Sequence, residues 1–319
     1  MAWATRSLSF TRCYKAHADY ANPIIDEDNQ RYLRLFIACK SFILLNFASV
    51  MQRYFITFSY DGTAYHGWQY QPNGITVQEV LEKALSTLLR ETTSVTGAGR
   101  TDAGVHARKM VAHFDTEATF DAAQLKYKLN RLLPRDVSVS GIAAVPEDLH
   151  SRFSAASRTY HYYIHQTKNP FLRQYSCPMS YELDFDRMNN AARYLLGEKD
   201  FKCFCKAGAD AKTTICTVTE ARWYKTVNEV SASEDGEGEW CFVITANRFL
   251  RNMVRAVVGT LIDVGRGKIS LEDFKAIVDN GTRCDAGESM PGNALFLWDV
   301  KYDGQTELKS GRADEEISL

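Results

Sequence analysis

The chain has 319 residues, 45% hydrophobic and 12% aromatic, so it can bury a sizeable core and is long enough for two compact units. Its formal charge is −1, which excludes a general attraction to phosphate, so a nucleic-acid role must rest on a local basic face. Eight scattered cysteines, Cys13, Cys39, Cys177, Cys203, Cys205, Cys216, Cys241 and Cys284, read against a disulfide scaffold and for a reducing cytoplasm, and without a C-x-x-C knuckle no metal site is expected.

Residues 1–52 read as an N-terminal extension. The apolar run 31–50 is interrupted by Lys40 and Asn46 and is short for a membrane span, and Asp26, Glu27 and Asp28 precede it, unlike a signal peptide. Met51 stands just before the first regular strand, so a native start at Met51 is expected, with a genuine accessory segment as the alternative.

"RYFITFSY", 53–60, alternates as a strand and ends at "DG". Thr76 and Glu79 form a T-x-x-E box ahead of a helix through Arg90. Strand-like segments follow at 93–98 and 108–115, then a helix over 121–133 and strands at 137–145 and 158–166. A helix over 186–196 closes at Gly197, and strands near 213–227 and 240–246 flank the acidic loop 228–239. The chain then gives a helix over 250–264, another capped by Ser270, a strand at 294–300 and a polar tail, 304–319. Elements alternate without a parallel-sheet rhythm, so the class is α+β, with 53–150 as an N-terminal subdomain and 151–303 as a C-terminal one.

From 149 to 181 there is no Asp or Glu, while Arg152, Arg158, Lys168 and Arg173 are interleaved with Phe153, Tyr160, Tyr162, Tyr163, Phe171, Tyr175 and Tyr181. Cations for phosphates and rings for bases suggest an RNA face, and the alternative is a sheet with aromatic core positions and surface arginines. In the helix at 250, Leu250, Met253, Val254, Val257, Val258, Leu261 and Ile262 make a buried stripe with Arg251 and Arg255 at its edge, four residues apart. Arg248, Arg251 and Arg255 oppose the helix dipole, so a phosphate or a carboxylate should compensate them, and the alternative is a surface salt bridge without function.

"GAGRTDAGVHA", 97–107, sets the single acid Asp102 among small residues. An Asp in such a loop is often only a turn former. Gly97, Gly99 and Gly104, however, allow close backbone approach to a ligand, and an arginine partner would suit the acid to act as nucleophile or base. No second acid supports a glycosidase pair, and His106 is a weaker candidate for general base. The sequence contains no P-loop or dinucleotide fingerprint.

"AGRTDAGVHA" resembles the signature of the TruA family of tRNA pseudouridine synthases, and "FSYDGTAYHGWQ", "VQEVLEKAL", "RFSAASRTYHY", "GEKDF" and "NRFLRNMVRAVVGTL" agree in order, over roughly 53–303. The chain departs from the family pattern at Met290 and Ala294, where only local packing is expected to change. The resemblance implies the pseudouridine synthase fold, with two related α/β subdomains around a central, mostly antiparallel sheet. It implies isomerisation of uridine to pseudouridine in the tRNA anticodon stem-loop (positions 38, 39 and 40) by a homodimer that needs no cofactor. Carried over by position, Asp102 is the catalytic carboxylate, Tyr160 the ring stacked on the flipped uracil, Arg255 the partner of Asp102, and Arg100 the group that helps extrude the base. Arg152, Arg158, Arg248 and Arg251 are the expected RNA contacts. The rival reading is a noncatalytic RNA-binding protein, which would have no use for an acid beside phosphates.

Overall fold

The computed structural model describes residues 51–206, 208, 212–226 and 238–303. The described residues belong to one compact unit that begins at Met51. The extension up to residue 50, the tail 304–319 and most of the acidic loop lie outside the described residues.

Among the described residues ten strands make one sheet, in the order β4-β1-β3-β10-β5-β9-β8-β7, with β2 on β3 and β6 on β5. The first half contributes β1 (Gln52–Tyr60), α1 (Val77–Leu89), β2 (Thr96–Gly97), β3 (His106–Thr116), α2 (Ala122–Leu132) and β4 (Val137–Val145). The second contributes β5 (Ala155–His165), β6 (Cys177–Pro178), α3 (Phe185–Arg193), β7 (Gly197–Asp200), β8 (Ile215–Lys225), β9 (Glu239–Ala246), α4 (Met253–Gly265) and α5 (Leu271–Asn280). The last strand, β10 (Leu295–Tyr302), returns to the middle and joins the halves. It runs parallel to β3 and antiparallel to β5, so that Leu297 faces Ala107 on one side and Tyr160 on the other. All other pairings except β5 with β6 are antiparallel, as expected of an α+β class.

Period-two alternation separates the two faces of the central strands. Tyr160, Tyr162, Ile164, Leu295 and Leu297 are buried, whereas His161, Tyr163, Phe296 and Trp298 are half-buried. Every residue of α4 is buried except Arg255 and Asp263. Gly259 makes that depth possible, because a Cβ there would lie 1.9 Å from the Glu288 carbonyl oxygen.

Three elements differ from the sequence reading. The strand expected at 93–98 shrinks to Thr96–Gly97, because side chains of α1 satisfy its backbone: Thr93 N–H donates to Ser86 Oγ and Val95 N–H to Glu82 Oε1. The helix expected from 250 starts at Met253, since Asn252 takes a left-handed conformation, φ 67°, that a short amide side chain tolerates. Gly197, φ +89°, opens β7 instead of closing α3, which ends at Arg193. Thr76 and Ser270 do cap their helices, the latter in a full capping box. Among the described residues no helix is long and apolar enough to cross a membrane, and no group of three His, Cys, Asp or Glu could hold a metal ion.

Candidate active site

Asp102 sits on the loop between β2 and β3, and the segment after β1 cradles that loop. Trp68 N–H donates to the Thr101 carbonyl at 3.2 Å, Gly104 N–H to the Tyr65 carbonyl at 3.3 Å, and Tyr60 Oη pairs with Thr101 Oγ1 at 2.8 Å. Gly67 approaches so closely, at φ +89°, that a Cβ would lie 2.4 Å from the Thr101 carbonyl oxygen. His106, almost fully buried, pins the loop's far end: Gly62 N–H donates to its Nδ1 at 3.0 Å, which leaves Nε2 to donate to the Asn293 carbonyl at 3.0 Å. Both ring nitrogens are engaged in holding the loop, which favours a structural role over that of general base. A cleft of about 520 Å³ opens beside His106, Asp61, Arg135 and Tyr175, but it does not include Asp102.

The Asp102 carboxylate meets two arginines from the α4 region. Arg255 Nη1 donates to Oδ2 at 3.1 Å, and Arg251 Nε lies 3.9 Å from Oδ1, within ion-pair range only. Arg255 is aimed by its own backbone partner, since its Nε donates to the Met290 carbonyl. Met290 N–H in turn donates to the Arg255 carbonyl at 3.1 Å. These bonds use main-chain atoms that any residue would supply, so the departure from the family pattern at Met290 leaves the support of Arg255 intact. The acid and Arg255 remain partly open, 28% and 22% exposed at their side chains.

Tyr160 lies on the buried face of β5. Its ring meets Phe249 edge-on at 5.0 Å, and burial pushes its hydroxyl up to about 12, with the Asp102 charge adding to the effect and Arg158 opposing it. The buried phenol is therefore neutral at physiological pH. Arg100 is exposed two residues from Asp102, with no hydrogen bond or ion pair among the described residues. Arg248 is half-exposed and Arg152 exposed.

Arg158 is placed otherwise than expected. It is buried, 8% exposed, and its guanidinium donates to four carbonyls: Ala155 at 2.9 Å, Asn247 at 2.8 Å, Ala98 at 2.9 Å, and Arg152. Burial pulls its pKa below the usual arginine value, and repulsion from Arg152 and Arg248 adds to that. An arginine committed to four carbonyls cannot also reach a phosphate, so Arg158 is a brace inside the site and not part of an RNA face. The structure thus brings Asp102 together with Arg255 and Arg251, sets Tyr160 near enough to feel the Asp102 charge, and buries Arg158. Sequence reading missed the Met290 carbonyl and the Tyr65–Trp68 cradle, because no periodicity signals a main-chain contact between distant segments.

A family model described as tRNA pseudouridine synthase matches residues 56–154 and 191–303. A protein of Bacteroides fragilis named tRNA pseudouridine synthase A is 54% identical over 253 residues, covering 79% of this chain and 97% of that protein. Proteins of the same name from Porphyromonas gingivalis and Bacillus subtilis are 49% and 39% identical, covering 79% and 77% of this chain and 98% of each relative. The matched region contains the cradle, the Asp102 loop and both arginines that meet the acid, and on that ground the chain belongs to the tRNA pseudouridine synthase family.

Proposed function

We propose that this protein isomerises uridine to pseudouridine in the anticodon stem-loop of tRNA, in the cytoplasm, with Asp102 as the catalytic carboxylate. The observation that carries the reading is the partly open Asp102 carboxylate held against Arg255 at 3.1 Å beside the Tyr160 ring. In the reaction the bond from C1′ to N1 breaks and a bond from C1′ to C5 forms. The proton on C5 leaves to solvent and N1 gains one, so composition is unchanged and no redox partner is needed. Asp102 acts on the ribose, either as nucleophile at C1′ or as base toward the neighbouring sugar proton. Arg255 holds the acid in position, Tyr160 stacks on the extruded uracil, and the exposed Arg100 occupies the space it leaves. Arg251, Arg248 and Arg152 supply cations for the backbone.

The test is tritium release from C5 of uridine in labelled tRNA, run beside filter binding. Asp102→Asn keeps size and hydrogen-bonding capacity but removes the charge, so turnover is expected to fall by about a thousandfold or more while binding persists. Near-normal release would overturn the mechanism, and loss of binding in step with activity would make Asp102 a structural turn residue. The homodimer belongs to the same reading. The half-buried rings of His161, Tyr163, Phe296 and Trp298 give the central strands an aromatic face suited to a second copy, and a fully active monomer in light scattering would count against it.

A further inference from the structure

The turn at 150–154 has an organisation that the proposed chemistry does not use. It is closed twice, by Ser154 N–H donating to the His150 carbonyl at 2.9 Å and by His150 N–H donating to Ser154 Oγ at 3.0 Å. Inside it, Arg152 N–H and Phe153 N–H both donate to His150 Nδ1, at 3.0 and 3.3 Å. The imidazole so fixed backs the Phe153 ring at 4.4 Å, and yet Phe153 is 76% exposed, the most exposed large apolar side chain among the described residues. A turn this closely bonded presents a phenyl ring to water by construction, at a cost in apolar exposure that something must offset.

Arg158 and Ser151 fasten this turn to the segment that carries Asp102, and Tyr302 of β10 holds it from the other side of the sequence. Arg158 Nη2 donates to the Ala98 carbonyl and to the Arg152 carbonyl, so one buried nitrogen ties the catalytic loop to the turn. Ser151 Oγ donates to the Thr96 carbonyl at 2.6 Å, and Tyr302 Oη donates to the Ser151 carbonyl at 2.7 Å. The Arg152 guanidinium lies 5.6 Å from the Phe153 ring centroid, at the outer range of a cation–π contact, which leaves it free to meet a phosphate flanking whatever covers the ring. No acid lies between 149 and 181, and the exposed Glu147 and Asp148 stand just before the turn.

We infer that Phe153 is a stacking platform for an unpaired base of the anticodon stem-loop, fixed relative to the reacting uridine by the arginine that also anchors the Asp102 loop. The inference rests on the RNA reading of the site given above. Rigid backing, an open ring face and an adjacent cation are the requirements for base stacking, which is tolerant of sequence because every base has a π-face. A paired base has no such face to offer.

The experiment uses the full chain with two RNA probes, a stem-loop carrying 2-aminopurine in its loop and a fully paired duplex of equal length. Phe153→Leu is expected to raise Kd for the stem-loop about tenfold, to relieve quenching of the 2-aminopurine, and to leave duplex binding and Tm unchanged. Phe153→Tyr should restore both binding and quenching. Turnover at saturating tRNA should hold while KM rises. Equal Kd values for Phe153→Leu and the parent chain on the stem-loop, or equal losses on stem-loop and duplex, would overturn the inference. Arg251→Ala separates the two readings: it should weaken both probes and flatten the salt dependence, and if it too has no effect, the RNA face itself is misplaced.

Discussion

Replacing Arg158 by alanine tests whether this residue braces the site or faces the substrate. The side chain donates to four carbonyls, and the bonds to Ala155 and Ala98 lie wholly in the interior. Leaving a buried acceptor without its donor costs about 1–3 kcal/mol, so losing these two costs about 2–6 kcal/mol, before the partly exposed pair is counted. For a folded body of this size each kcal/mol lowers Tm by about 2–4 °C, and about 3 kcal/mol corresponds to a drop of about 6–12 °C. Arg158→Lys should recover only part of this, because a single ammonium cannot span acceptors that a planar fork reaches from two nitrogens. Thermal unfolding followed by circular dichroism, with tRNA binding measured well below the transition, separates the alternatives. The bracing role predicts a large Tm loss and reduced turnover from a loosened Asp102 loop, with modest change in Kd. An unchanged Tm with a tenfold weaker Kd would refute it and return Arg158 to the RNA face.

Gly67→Ala should lower turnover sharply, because it forces a side chain into a φ of +89° and within 2.4 Å of the Thr101 carbonyl, one residue from the acid. The expected cost is about 2–4 kcal/mol of stability, read by urea unfolding, and a variant with parental stability and turnover would show that the cradle does not position Asp102. Stability should also fall as pH drops from about 6.5 toward 4, since burial, followed by Arg53 and His150, pushes His113 from 6.5 down to about 4. The unfolded chain then takes up a proton that the folded one refuses at this position, for a loss of at most about 3 kcal/mol from His113, and His161, which burial also pushes down to about 4, adds to it in the same window. Asp61 and Asp115, whose carboxyls are held below 3.8, act only at lower pH. An imidazole resonance of His113 titrating near 6.5 would remove this contribution.

The sequence by itself determined the elements whose cause is local. Alternation gave β1 and β4 nearly to the residue, and Thr76 and Ser270 fixed helix starts because a cap needs only its next three residues. The same period of two held a signal about Arg158 that its charge obscured. It shares the face of β5 with the core residues Tyr160, Tyr162 and Ile164, and alternation alone would have turned it inward. The pairing of Asp102 with Arg255 is different in kind. The two stand 153 positions apart, and no local pattern connects them; they were associated only through the family resemblance. Tertiary structure decided that pairing by inserting β10 between β3 and β5, which joins the half carrying Asp102 to the half carrying Tyr160 in one sheet. It also decided where α4 begins, because Asn252 adopts its left-handed turn while its amide reaches Ser289, a contact made across the fold. Contacts between main-chain atoms of distant segments, such as the Met290 carbonyl on Arg255 or the Thr101 carbonyl on Trp68, leave no trace in residue type, since every residue carries the same carbonyl.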